Sequence, residues 1–98
     1  MNVQELSMQV PAAGAAGGEN VSVSSTSAAT DVLGATSVVV LSDVVCFVVK
    51  GANPTATVIS GAPIPAGIPL RLHGFEATDK LAFITASGTG TVYVRPSV

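Results

Sequence analysis

The apolar residues of this chain occur in short runs rich in valine, isoleucine and threonine, and glycine, proline, asparagine or serine separates one run from the next. β-Branched side chains pack well on a pleated sheet, whereas the separating residues favour turns. No run is long enough for a substantial helix. The pattern therefore predicts an all-β fold, namely a small antiparallel β-sandwich or barrel of about six to seven strands.

The runs predict strands at residues 37–41, 44–50, 55–60, 68–73, 80–85 and 91–95. Apolar and polar side chains alternate from Leu70 to His73, which is typical of a strand with one wet face. The strands at 44–50 and 80–85 are apolar on both faces. We therefore expect these two to be central strands, or strands whose outer face meets another subunit.

The first part of the chain has a different composition. Residues 1–36 contain no basic residue and no aromatic residue, and alanine, glycine, serine and threonine dominate. Small side chains cannot offset the entropy of ordering through their own packing. Val21 and Val23 alternate with serines, which suits an edge strand added to a sheet. We therefore predict an extended arm over residues 1–36 and an antiparallel β-domain over residues 37–98, with Val21 and Val23 as candidate partner contacts.

Three prolines fall in the segment 61–72, GAPIPAGIPLRL. Proline lacks the amide hydrogen that a strand ladder needs, so Pro63, Pro65 and Pro69 are expected before a strand or on its unpaired edge. Gly67 can adopt the positive φ that a turn requires. The sequence predicts a stiff loop that leads into the next strand and offers Pro63 and Pro65 as candidate partner contacts.

Charge excludes several classes of partner. Only 10% of the residues are charged, against about 25% in a typical soluble domain, and the net charge is −2. The four basic residues are scattered, so we expect no nucleic-acid partner. The most apolar run, residues 38–49, is too short for a membrane-spanning helix, and we expect no membrane partner. A surface with such a small number of charges is poorly protected from association, and this favours a homo-oligomer.

Little in the sequence suggests catalysis. Cys46 lies within an apolar run and His73 on the polar face of its strand, so we expect an inert buried thiol and a surface histidine. Glu76 and Asp79 share one loop, where a solvated turn is expected rather than an acid/base pair. The carboxylates are too dispersed for a zinc site. We expect no enzymatic activity, no metal and no cofactor.

The last part of the chain contains PIPAG at residues 63–67, AT at 77–78 and ITASGTGTVYVRP at 84–96, preceded by the valine-rich VVCFVVK at 44–50. In this combination of motifs the chain resembles a group of small virion proteins of tailed bacteriophages. The loop residues 72–76 and 79–81 depart from the small-residue turn usual in that group. The resemblance does not extend to the predicted arm, residues 1–36.

The resemblance implies a non-enzymatic capsid cement or decoration protein. Such a protein binds the outer shell and stabilises contacts between major capsid subunits, so the implied partner is the phage major capsid protein and the implied location is the virion surface, after assembly in the host cytoplasm. A homotrimer is the expected oligomer. Two alternatives stay open: a neck, tail or fibre-base subunit of the virion, and a small glycan- or ligand-binding β-module using Tyr93 and His73.

Overall fold

The computed structural model describes residues 18–96, in which all regular secondary structure is β-strand. No helix in this range is long and apolar enough to cross a membrane. The strands are β1 (Glu19–Val23), β2 (Ala28–Ala29), β3 (Ser37–Ser42), β4 (Cys46–Gly51), β5 (Ala62–Ile64), β6 (Leu70–His73), β7 (Lys80–Ile84) and β8 (Gly90–Pro96).

The strands form two four-stranded antiparallel sheets packed together as a β-sandwich. The first sheet has the order β1-β8-β3-β6, and the second has the order β2-β7-β4-β5. The predicted all-β sandwich is confirmed. β4 and β7 are central in the second sheet, as their two apolar faces predict. Each sheet has two edge strands, which are β1 and β6 in the first and β2 and β5 in the second.

The core lies between the sheets and is built from the inward side chain of every second residue. Val38 and Val40 of β3 and Val92 and Val94 of β8 are fully buried, and they pack against the second sheet, where Phe83 is the largest fully buried side chain. Each such valine or phenylalanine contributes about 1.5–3 kcal/mol through burial. The predicted alternation in β6 is also confirmed, since Leu70 and Leu72 pack on this core while Arg71 and His73 are exposed.

The predicted strand at residues 55–60 is wrong. Residues 57–61 form a turn instead, in which the Gly61 N–H donates to the Thr57 carbonyl at 3.0 Å and the Ser60 N–H donates to Thr57 Oγ1 at 3.0 Å. A threonine side chain that satisfies a nearby backbone amide competes with a strand ladder. The partner of β4 is therefore β5, and the other five predicted strands match observed ones to within one or two residues at each end.

The predicted boundary at residue 36 is also corrected. β1 pairs with β8 along its whole length, β2 pairs with β7, and Leu33 is buried in the core. Residues 19–36 therefore belong to the sandwich rather than to an arm. An edge strand needs an apolar side chain only at alternate positions, and Val21 and Val23 supply them despite the small-residue composition. Residues 1–17 of the predicted arm lie outside the described residues.

Candidate functional site

A loop formed by residues 52–61 packs on part of the outer face of the second sheet. The Ala56 N–H donates to Ser27 Oγ at 2.8 Å, and Ser27 directly precedes β2, so the loop reaches from β4 to the far edge of the sheet. Ala82 points outward from the sandwich by alternation in β7, yet it is fully buried, and Ala56 is buried as well. These two alanines therefore mark where the 52–61 loop packs on the sheet.

The tip of the 52–61 loop presents two apolar side chains to solvent. Ile59 is 94% exposed and Val58 is 42% exposed. The hydroxyls of Thr57 and Ser60 lie 2.8 Å apart and form a hydrogen bond, which closes the turn on both sides of the tip. These hydrogen bonds hold the backbone of the turn, so contact with a partner at this tip would require little further ordering of the backbone.

Gly61 fixes the return of the loop onto β4. A Cβ atom at this position would lie 2.6 Å from Phe47 Cβ and 3.0 Å from the Val48 amide nitrogen. Both distances are below ordinary van der Waals contact with carbon. Only glycine therefore allows the loop to approach β4 this closely, and the position of the exposed tip depends on that approach.

The outer face of the first sheet has a different character, because basic side chains lie across it. Arg71 of β6 and Arg95 of β8 both pair in register with Val39, which is only 5% exposed although it points outward. The Arg95 guanidinium donates to the Glu19 carbonyl at 3.0 Å and to Asn20 Oδ1 at 2.9 Å. The two arginines therefore flank an apolar centre on this face.

The described carboxylates are used elsewhere, mainly to accept backbone hydrogen bonds. Glu19 Oε1 accepts from the Asp31 N–H at 3.1 Å, Asp43 Oδ1 accepts from the Thr91 N–H at 2.8 Å, and Asp79 Oδ2 accepts from the Glu76 N–H at 2.9 Å. The last bond confirms that the Glu76–Asp79 loop is a closed turn.

A groove of about 420 Å³ opens along the side of the sandwich between β5 and β6. Its wall is mainly apolar and includes Val48, Leu72, Phe75 and Leu81, with His73 of β6 at its border. Lys50 also borders it, and its ammonium group donates to the Gly74 carbonyl. We call this feature the β6 groove.

The structure separates the four predicted partner contacts. Pro63 is exposed on the edge strand β5 and Pro65 is exposed just after it, as predicted for residues without an amide hydrogen. Gly67 has a φ of 77°, which confirms the predicted turn, and its N–H donates to the Ser42 carbonyl at the end of β3, at 2.7 Å. Val21 and Val23, in contrast, are buried in the core, so their side chains cannot contact a partner while the sandwich is folded.

Cys46 and His73 are not brought together. Cys46 is fully buried on β4, where its thiol donates to Ser42 Oγ at 3.6 Å, while His73 is exposed on β6 of the other sheet. Burial raises the pKa of the Cys46 thiol, and its hydrogen bond with Ser42 opposes part of that change. The buried-thiol interpretation is confirmed. Among residues 18–96, no group of three or more histidine, cysteine, aspartate or glutamate side chains could hold a metal ion.

Sequence reasoning missed two surface features, namely the exposed Val58 and Ile59 of the 52–61 loop and the β6 groove. The pair Val58–Ile59 has the composition of a strand interior, and the groove is assembled from segments far apart in the chain. The chain matches no protein-family model, and comparisons with curated proteins and with solved structures found no match. What this protein can bind therefore has to be inferred from its surfaces.

Proposed function

We propose that this protein is a non-enzymatic structural subunit of a bacteriophage virion, a cement or decoration protein that binds the outer capsid shell and stabilises contacts between major capsid subunits. The observation that carries the proposal is the exposed apolar tip of the 52–61 loop. Burying Ile59 against a shell protein would contribute about 1.5–3 kcal/mol, and many copies act together on one particle.

The surface around the tip supports contact with another protein. Pro63 is exposed beside it in sequence, Phe47 and Ile84 are half-buried on the outer face of the second sheet, and none of these side chains carries a charge. A neutral apolar centre is typical of stable protein interfaces. Arg71 and Arg95 lie on the first sheet, and Lys50 and Lys80 lie on the second, so basic charge does not separate the two sheets. We assign the second sheet to the shell because it carries the 52–61 loop.

Size and charge also favour an assembled subunit. A chain of 98 residues buries only roughly 60–70% of its surface on folding. Because this chain has few charged residues, electrostatic repulsion protects its surface poorly from association. A trimer at the local three-fold positions of the shell is the oligomer that we propose. The resemblance of residues 63–96 to small phage virion proteins supports the same assignment.

Copy number tests the proposal. Particles of the phage that encodes this chain would be purified, and the protein would be quantified against the major capsid protein by gel densitometry. A cement protein should approach the copy number of the major capsid protein. A copy number far below it would favour a neck, tail or fibre-base subunit, and absence from the particles would contradict the virion assignment.

A further inference from the structure

We propose that β6 is a strand-addition site, which binds an extended peptide of a partner protein in which apolar and acidic residues alternate. The site lies at the β6 edge of the first sheet, its groove is bordered by Ser60 of the 52–61 loop, and the inference does not depend on the capsid role. Three observations carry it: the free edge of β6, the β6 groove beside that edge, and the basic side chains on its outer face.

The backbone of β6 is available for pairing. Among the described strands, β6 pairs with β3 alone, through residues Leu70–His73. In an antiparallel ladder alternate residues direct their N–H and carbonyl groups to opposite sides, so about half of these residues point both groups outward. An added strand would satisfy those groups with backbone hydrogen bonds, which is how sheet edges bind extended peptides.

The other edges are less suited to this. β2 has two residues and β5 has three, one of which is Pro63, so each offers few amide donors. β1 is longer, but its first residue, Glu19, already has hydrogen-bond partners. The Arg95 guanidinium donates to the Glu19 carbonyl, and the Asp31 N–H donates to the Glu19 carboxylate. Both β5 and β6 are edge strands that border the groove, and of these two β6 is the longer and contains no proline.

The β6 groove specifies apolar side chains on one face of the added strand. Leu72 points inward from β6 and lines the groove together with Val48 and Phe75. Alternate side chains of a strand laid beside β6 would point in the same direction as Leu72 and enter this apolar space. The volume of about 420 Å³ lies within the range of roughly 300–1,000 Å³ that is common for ligand sites.

The outer face specifies acidic side chains at the intervening positions. Arg71 and His73 are both exposed on this face, and Arg95 lies across Val39 from Arg71. Cross-strand neighbours on one face have Cβ atoms about 4.5–5.5 Å apart, so a carboxylate on the added strand would lie close to Arg71. Pairing of two β6 strands would instead place Arg71 and His73 of one copy beside the same side chains of the other copy. This disfavours a second copy of this chain as the partner.

The test uses the full chain and three end-blocked peptides of equal length. In the first, valine alternates with glutamate; the second has the same residues in two blocks; the third replaces glutamate by lysine. Binding is measured by fluorescence anisotropy, and ¹⁵N-labelled protein identifies the amides that shift. We expect only the first peptide to bind, with the largest shifts in Leu70–His73 and in the residues of the β6 groove.

Two charge-reversal variants complete the design. Arg71→Glu should weaken binding of the alternating acidic peptide by about fivefold or more, since it replaces an attraction by a repulsion. Lys80→Glu makes the same change in charge on β7 of the second sheet and should leave binding unchanged. Thermal unfolding of both variants confirms that they are folded.

Several results would overturn the proposal. They are no binding of the alternating acidic peptide, equal binding of the lysine peptide, equal losses in the two variants, and amide shifts confined to other strands. If the acidic peptide fails to bind and Arg71→Glu makes the protein self-associate, the charge on β6 serves only to prevent edge-to-edge aggregation. Even if Arg71→Glu does not fold, the amide shifts that the peptide causes in the unmodified protein show whether it binds along β6.

Discussion

Replacing Gly61 by alanine should destabilise the protein although it adds a single methyl group. The new Cβ would lie 2.6 Å from Phe47 Cβ and 3.1 Å from the Phe47 carbonyl carbon, and neither atom is the flexible end of a side chain. The 52–61 loop or β4 must therefore shift. Overpacking of this kind costs about 1–3 kcal/mol.

One opposing effect has to be subtracted. Gly61 does not have a positive φ, so alanine is compatible with its backbone and restricts the unfolded chain, which stabilises by about 0.4–1 kcal/mol. With the middle of each range, the net loss is then about 1.3 kcal/mol. For a domain of this size each kcal/mol lowers Tm by roughly 4–8 °C, so the change is well within the range of a thermal melt followed by circular dichroism.

Gly18→Ala is the matched control. Its Cβ would meet only Arg95 Cδ, at 3.8 Å, which is ordinary contact. We expect its free energy of unfolding in urea to be unchanged or to rise by up to about 1 kcal/mol, because the restriction of the unfolded chain is the same and no overpacking opposes it. If Gly61→Ala unfolds at the same urea concentration as Gly18→Ala, the 52–61 loop does not pack against β4 and its tip is not held in place.

Three further predictions concern the core. Phe83→Ala should cost about 3–5 kcal/mol, because it empties the largest fully buried site of a domain whose whole stability is about 5–15 kcal/mol, and urea unfolding would measure it. A fragment containing residues 37–98 should fail to show a cooperative thermal transition, because it lacks β1, β2 and the buried Leu33; a normal melt would mean that these strands are dispensable. Cys46 should react with a thiol reagent only when the protein unfolds. Because its pKa is raised in the folded state, the stability it contributes should be full below the ordinary value of 9.0 and decline as the pH rises above it, whereas Cys46→Ala should lack this decline.

The fold was predictable where a local pattern determined it. The two-faced apolar runs around Phe47 and Phe83 became the central strands of the second sheet, and the alternation of Leu70 and Leu72 with polar residues located the wet face of β6. These patterns report directly on which side of a strand is buried, so they need no knowledge of the rest of the chain.

The surfaces were not predictable because they depend on contacts between distant segments. Val58 and Ile59 fit a strand by composition, and the turn forms because Thr57 satisfies nearby amides and Gly61 leaves room for β4. β1 was assigned to an arm because its small residues have little apolar bulk, yet pairing with β8 buries Val21 and Val23. Composition alone does not reveal such tertiary pairing.

The most direct test of the proposed function is the occupancy of capsids that lack this protein. Capsids would be incubated with the full chain, with Ile59→Asp or with Ser22→Asp, and bound protein would be quantified after sedimentation. Ser22 is exposed on the first sheet, so its variant adds the same charge on the opposite side. We predict that Ile59→Asp lowers occupancy by about tenfold or more, as expected for the loss of about 1.4 kcal/mol or more of contact energy, while Ser22→Asp binds like the unmodified protein. Equal occupancy by all three proteins would contradict attachment through the 52–61 loop.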